Sequence, residues 1–241
     1  MQTIAIARAT ARELLRRHNA LILLVTLPLA FYIARSDIPS SALVVLALGV
    51  GWAVATLSLF STVSALELDR RLRVAGYSIR AIVLGRLAAV VLFGAALSLG
   101  FLGLAMIDQD VSRPGGLALM MACAVVVGAP LGMATGLLLR RELEGTLLLL
   151  IFLATQFMTN PEKPAAQWLP LWSVRGVADW TIDFADRTFL VDGLLHAAAT
   201  VGLLGALLTA ASLVRLRIHA PHRTLPGPGE RVDEDIAGRL R

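Results

Sequence analysis

The run PGGLALMMACAVVVGAPLGMATGLLL, from Pro114 to Leu139, passes without one charged side chain. Crossing about 30 Å of hydrocarbon as a helix takes roughly 20 consecutive apolar residues, so this run is long enough to span a bilayer. Gly128, Gly132 and Gly136 stand in it at four-residue spacing, with Pro130 among them. That spacing puts the glycines on one helix face, where a second helix can approach closely, while the proline kinks the helix or frees a carbonyl. The approaching helix belongs either to the same chain or to another subunit, and a moving hinge is the third reading.

Other runs of the same kind extend on both sides. Hydrophobic residues make up 57% of the 241-residue chain and mean hydropathy is +0.74. Soluble domains stay near roughly 45–50% apolar. Uncharged stretches run from Ile38 to Leu66, Leu87 to Ile107 and Gly193 to Val214. Two shorter ones, His18 to Ala34 and Gly145 to Pro161, sit near the lower limit of about 17 residues. Arg17 and Arg35 can extend the first by reaching out to the interfaces. The expectation is an all-α polytopic membrane protein with six transmembrane helices, at about 18–34, 42–66, 87–107, 115–139, 145–160 and 193–214. A cleavable signal peptide is the competing reading of the first run, since basic residues precede it. The single cysteine, Cys123, falls inside a span, so no intramolecular disulfide can form.

Basic residues give the orientation, because short loops rich in Lys and Arg stay in the cytoplasm. Residues 1–17 hold Arg8, Arg12, Arg16 and Arg17, the segment Glu67 to Arg86 holds five arginines, Arg140 and Arg141 follow, and six more come after Val214. The alternate segments hold only Arg35, Arg113, Lys163, Arg175 and Arg187. Both termini are therefore expected in the cytoplasm. The net charge of +5 is then a signature of topology in a cell membrane, with lipid and not nucleic acid as the surrounding partner.

Between the spans the composition is informative. Ile4, Ala7, Ala11, Leu14 and Leu15 recur at helical spacing with Arg8, Arg12 and Arg16 on another face, which predicts an amphipathic helix on the cytoplasmic leaflet over residues 1–17. The second loop, Glu67 to Arg80, carries both signs of charge and a short stripe of Leu68, Leu72 and Ala75, suited to a partner's groove or to plain solvation. Three of the four tryptophans, Trp168, Trp172 and Trp180, lie between Thr159 and Asp192 among Pro161, Pro164 and Pro170. Tryptophan favours the membrane interface, so this exterior segment is expected to lie at, or dip into, the outer leaflet. Asp179, Asp183 and Asp186 read as a solvated helix face, with Asp183 and Arg187 as an i, i+4 pair, and not as a metal site. Residues 218–241, rich in Pro and Gly, read as a flexible cytoplasmic tail.

Catalytic motifs are not found. The one lysine lies in Asn-Pro-Glu-Lys163-Pro, so the chain has no phosphate-binding Gly-x-x-x-x-Gly-Lys-[Ser/Thr] loop, and it has no His-Glu-x-x-His or Gly-x-Ser-x-Gly either. His196 is the one ionisable residue expected within a span, either as an interfacial hydrogen-bonder or as a substrate contact. Energy for any pumping must come from elsewhere.

The order of parts resembles the membrane subunit of a type-2 (ABC-2 type) ABC exporter. The features that carry the likeness are an amphipathic N-terminal segment running into Leu14-Leu15-Arg16-Arg17-His18-Asn19, a first span ending Leu27-Pro28-Leu29-Ala30-Phe31, a charged second loop leading through Gly85-Arg86, a glycine-rich fourth span, and Trp168-Leu-Pro-Leu-Trp172 after a short fifth one. The resemblance implies a half-transporter that pairs with a second permease copy or a homologue and with separate ATP-binding cassette subunits. ATP and Mg would sit on those partners and no cofactor on this chain. It also implies short re-entrant helices on the exterior. By position, Glu67, Asp69, Arg70, Arg71 and Arg73, with Arg8 and Arg12, would couple to the ATPase, and Arg140, Arg141, Glu142 and Glu144 would be secondary. One departure is that a Glu-Gly-Thr-Leu run stands here at Glu144 to Leu147, in the fourth loop and not in the second. The expected cargo is an amphipathic or lipid-like molecule such as a drug, antibiotic or glycolipid. The alternatives are a haem-export permease of cytochrome c maturation and an intramembrane enzyme built on Asp179, Asp183 or His196.

Overall fold

The computed structural model describes residues 1–160 and 163–215, and in them it is all-helical. The helices are α1 (Gln2–Arg16), α2 (His18–Ile33), α3 (Pro39–Ser64), α4 (Leu66–Val74), α5 (Ile79–Asp108), α6 (Pro114–Leu139), α7 (Glu142–Met158), α8 (Trp172–Ile182) and α9 (Arg187–Arg215), with a 3-10 turn at Pro164–Trp168. The tail expected at 218–241 lies outside the described residues.

Helix ends follow local chemistry. Pro39 and Pro114 open α3 and α6, at positions where a missing N–H costs nothing. Ser78 caps α5 by accepting a hydrogen bond from the Ala81 amide at 3.1 Å. The expected start of that helix near residue 87 is therefore two turns late: the cap and the backbone ladder carry it back through Arg86 and Arg80, which an uncharged-run criterion excludes. In the same way α7 takes in Glu142 and α9 begins at Arg187.

Four helices, α3, α5, α6 and α9, are long and apolar enough to cross a membrane. Their surroundings differ sharply, since 83% of the apolar window of α3 and 78% of that of α6 is buried, against 22% for α5 and 17% for α9. α3 and α6 are thus the core pair, and α5 and α9 present apolar faces outward, as lipid-facing helices do. The remaining long helices, α2 with 16 residues and α7 with 17, are shorter.

The glycine ladder of α6 accounts for the central pair. A Cβ at Gly128 would meet the Gly51 carbonyl oxygen at 2.5 Å, one at Gly132 would overlap the backbone of Ala55, and one at Gly136 would press on Thr62 Cβ at 3.1 Å. The same Cβ at Gly136 would lie 3.2 Å from the Leu59 carbonyl oxygen, so the α3 backbone met at Gly51, Ala55 and Leu59 also advances by about one turn per step, and the ladder is used within this chain. Ser58 Oγ donates across the same seam to the Ala129 carbonyl at 2.6 Å. The weaker ladder at Ala198, Gly202 and Ala206 of α9 is exposed, and Gly202 has open space around it.

Contacts between distant segments define two ends of the bundle. At one end Gln2 meets Gly76 and Ser78, Glu13 meets Ser64, and Arg17 reaches Glu142. At the other, Tyr32 donates to Asp108 at 2.6 Å, Arg113 donates to the Trp180 carbonyl at 2.6 Å, and Arg175 donates to the Gln156 carbonyl at 2.7 Å. α2 and α7 each begin in the first group and finish in the second. At a rise of about 1.5 Å per residue they run roughly 24–26 Å between the two ends.

Candidate functional site

The first end is a platform built on α1, α4 and the start of α5. α1 lies against α5 because Gly85 has no side chain: a Cβ there would stand 2.7 Å from the Thr3 carbonyl oxygen and 2.9 Å from Ile6 Cβ. Its buried face is Ile6, Thr10 and Leu14. The stripe expected from the sequence is thereby corrected. Ile4 and Leu15 are exposed beside Arg8, because the inward phase of the helix is set by α5 and not by lipid alone. Arg8, Arg12 and Arg16 project from the outer face, and none of them forms an ion pair among the described residues.

Glu13 ties this helix to the bundle, accepting from Arg17 at 3.0 Å and from Ser64 at 3.0 Å, while Arg17 extends to Glu142 on α7 at 3.8 Å. The first helix, the end of α3 and the start of α7 are therefore joined through the Glu13 and Glu142 carboxylates and the Arg17 guanidinium between them.

In α4 the charges divide by direction. Asp69 faces inward and, at 3% exposure, binds Arg86 of α5 at 4% exposure through two parallel hydrogen bonds of 2.7 and 2.8 Å. The fork of a guanidinium matches a carboxylate in this way, so α4 is held at a fixed angle to α5. Arg73 donates to the Tyr77 carbonyl at 2.6 Å and closes the turn in which Gly76 takes a φ of +87°. Glu67, Leu68, Arg70, Arg71 and Val74 are exposed. Of the apolar stripe at Leu68, Leu72 and Ala75, Leu68 and Ala75 are exposed and Leu72 is half-buried, while Asp69 faces inward. Of the residues expected to couple, Glu67, Arg70, Arg71, Arg8 and Arg12 are on the surface, whereas Asp69 and Arg73 are internal fasteners. Nothing in the sequence spacing singled out Arg86 as the partner of Asp69.

The secondary residues border the platform. Arg140 ends α6 with a left-handed φ of 58°, Arg141 and Glu144 pair at 2.7 Å on the surface, and Glu142 receives Arg17.

At the opposite end, the segment expected outside is a packed cap. Ser173, Val174, Gly176, Val177, Ala178 and Thr181 of α8 are buried, and Gly176 and Gly193 let α8 and α9 touch: a Cβ at Gly176 would meet Gly193 Cα at 3.1 Å. Trp172 packs edge-on to His196 with ring centroids 5.2 Å apart, Trp180 and Phe184 both lie under the Arg113 guanidinium, and Trp168 is exposed. His196 Nε2 bonds the Gln167 carbonyl at 2.9 Å. A carbonyl only accepts, so Nε2 carries the proton and the histidine serves to fasten the cap.

The expected Asp179, Asp183 and Asp186 face does not form as a unit. Asp183 and Asp186 are exposed, but α8 stops at Ile182 and Phe184 turns the chain with a φ of 55°, so the three carboxylates do not share one helix and no Asp183–Arg187 ion pair forms among the described residues. Asp179 and Asp183 instead line a cleft of about 510 Å³ with Arg175, Arg35, Phe31 and Phe157. Burial raises the Asp179 carboxyl above its ordinary value, the neighbouring Asp183 raises it further, and Arg175 opposes. Burial likewise lowers the Arg175 guanidinium, with Asp179 acting against it. Among the described residues no group of three or more His, Cys, Asp or Glu is arranged to hold a metal. Compared with known proteins, the chain matches no family model and no curated protein.

Proposed function

We propose that this chain is the membrane-spanning permease subunit of an ATP-driven exporter of the ABC-2 type. It crosses a bacterial cell membrane six times, through α2, α3, α5, α6, α7 and α9, with α1 and α4 on the cytoplasmic side and α8 forming the exterior cap. α2 and α7 are short for a crossing, and the arginines at their ends, Arg17, Arg35 and Arg141, extend their reach to the interfaces. The cargo is an amphipathic or lipid-like molecule.

The observation that carries this reading is the platform. Segments separated by more than a hundred residues bring an excess of arginine to one end, and Arg8, Arg12, Arg16, Arg70 and Arg71 stand there exposed and without an acidic partner among the described residues. A protein with no phosphate-binding loop and an unpaired basic surface is suited to receive motion from an ATPase with an acidic groove. The internal fasteners suit transmission: Asp69–Arg86 and the Glu13–Arg17–Glu142 chain link that surface to α5, α3 and α7.

Affinity purification of the tagged chain in mild detergent is the test. A soluble phosphate-loop ATPase should co-purify in near-equal amount, and Arg70→Glu with Arg71→Glu should abolish its recovery while leaving the permease in the membrane. These two arginines are chosen because they are exposed and their side chains form no ion pair among the described residues. Recovery of the chain alone, even after crosslinking in cells, would refute the reading.

A further inference from the structure

The cleft under the exterior cap has a divided lining. Phe31 and Phe157, in edge contact with centroids 5.7 Å apart, join Val44, Val45 and Leu48 on one side. On the other, Arg175 and Asp179 of α8 and Asp183 just past its end succeed one another at i, i+4 and i+8, with Arg35 at the rim. A volume of about 510 Å³ falls within the roughly 300–1,000 Å³ of small-molecule sites.

The two signs of charge are not equivalent. Arg175 is already engaged by the Gln156 carbonyl at 2.7 Å and lies beside Asp179, while Arg35 and Asp183 are both exposed at the rim, where water and salt screen them alike. The carboxylates of Asp179 and Asp183 take part in no side-chain hydrogen bond or ion pair among the described residues. Like charges four apart on a helix repel, and a cation placed between them relieves that repulsion.

We propose that this cleft binds an amphiphile whose head carries a protonated amine, with the ammonium against Asp179 and Asp183 and the hydrocarbon chain along Phe31, Val44 and Phe157. The site is built within one chain and needs neither ATP nor a partner to fill. It stands whether or not the exporter reading does.

The test uses the full chain in lipid nanodiscs, titrated calorimetrically with decylamine, decanoate and decanol, three probes with one chain length and different heads. Decylamine should show a saturable component that empty nanodiscs lack, and the other two only partitioning. Asp179→Asn with Asp183→Asn should remove that component while thermal unfolding stays in place. If the double variant does not fold, Asp183→Asn alone, at an exposed helix end, should weaken decylamine by about tenfold. Extraction of the lipids held by the purified chain separates two sources of the same chemistry. Enrichment of amine-headed lipid that the variant lacks identifies an endogenous lipid, and decylamine binding without such enrichment identifies a free amphiphile. Equal saturable binding of decanoate, no saturable binding of decylamine, or binding unchanged in the variants would overturn the proposal.

Discussion

Replacing Gly132 with valine should destabilise the protein by about 3 kcal/mol, the upper part of the usual range for over-packing a close-packed interior. Gly132 is the tightest rung of the α3–α6 seam, and a Cβ there overlaps the backbone of Ala55, which cannot rotate away as a side chain can. Separating the helices enough to admit valine would also stretch the Ser58 to Ala129 hydrogen bond of 2.6 Å. For a chain of this size the loss corresponds to a fall in melting temperature of roughly 2–4 °C per kcal/mol. Gly202→Ala provides the contrast. Its surroundings are open, and exchanging glycine for alanine inside a helix should hold or raise stability by up to about 1 kcal/mol. Thermal unfolding of both variants in detergent checks the pair, and equal behaviour would mean that the α6 glycines do not carry the core seam.

Asp69→Asn should be comparably damaging, at about 3–5 kcal/mol, because it leaves the Arg86 guanidinium buried without its counter-charge. Arg86 Nε makes no hydrogen bond among the described residues, so little nearby can compensate. Removing both charges tells a different story. Asp69→Leu combined with Arg86→Met should recover most of the stability, since replacing a buried ion pair by apolar groups of similar size is often neutral. If the pair also transmits motion from the platform, the recovered double variant will be stable yet uncoupled from any ATPase. Melting temperatures of the two variants separate the structural effect, and a double variant as unstable as Asp69→Asn would contradict this account of the pair.

The core was readable because its determinants are local in sequence. Pro114 to Leu139 announces both a crossing and, through Gly128, Gly132 and Gly136, a close approach, and the α3 face that meets it is a local run of small residues as well. The two ends were read only in part. Hydropathy reports what a segment contains, not which neighbour sets its phase. The inward face of α1 thus includes Thr10 and leaves Ile4 out, because α5 offers a gap at Gly85 where Ile6 fits. Asp69 looked like one more solvated charge in a charged loop, yet its partner lies 17 residues on in another helix. Asp183 is exposed as a solvated face requires, but Asp179 is half-buried, and nothing local indicates that α8 is buried by its other side against α6 and α9.

The exporter reading depends on the platform and the α8 cap lying on opposite sides of a membrane, which requires α2 and α7 both to cross it. Single cysteines introduced into a Cys123→Ser background and labelled with a membrane-impermeant maleimide in intact cells test this directly. Arg12, Arg71 and Glu142, all exposed on the platform, should label only after the membrane is permeabilised, whereas Ser36, Asp110 and Lys163, all exposed at the other end, should label at once. If Ser36 shares the protection of Arg12, or Lys163 that of Glu142, then α2 or α7 does not cross and the six-span account is wrong.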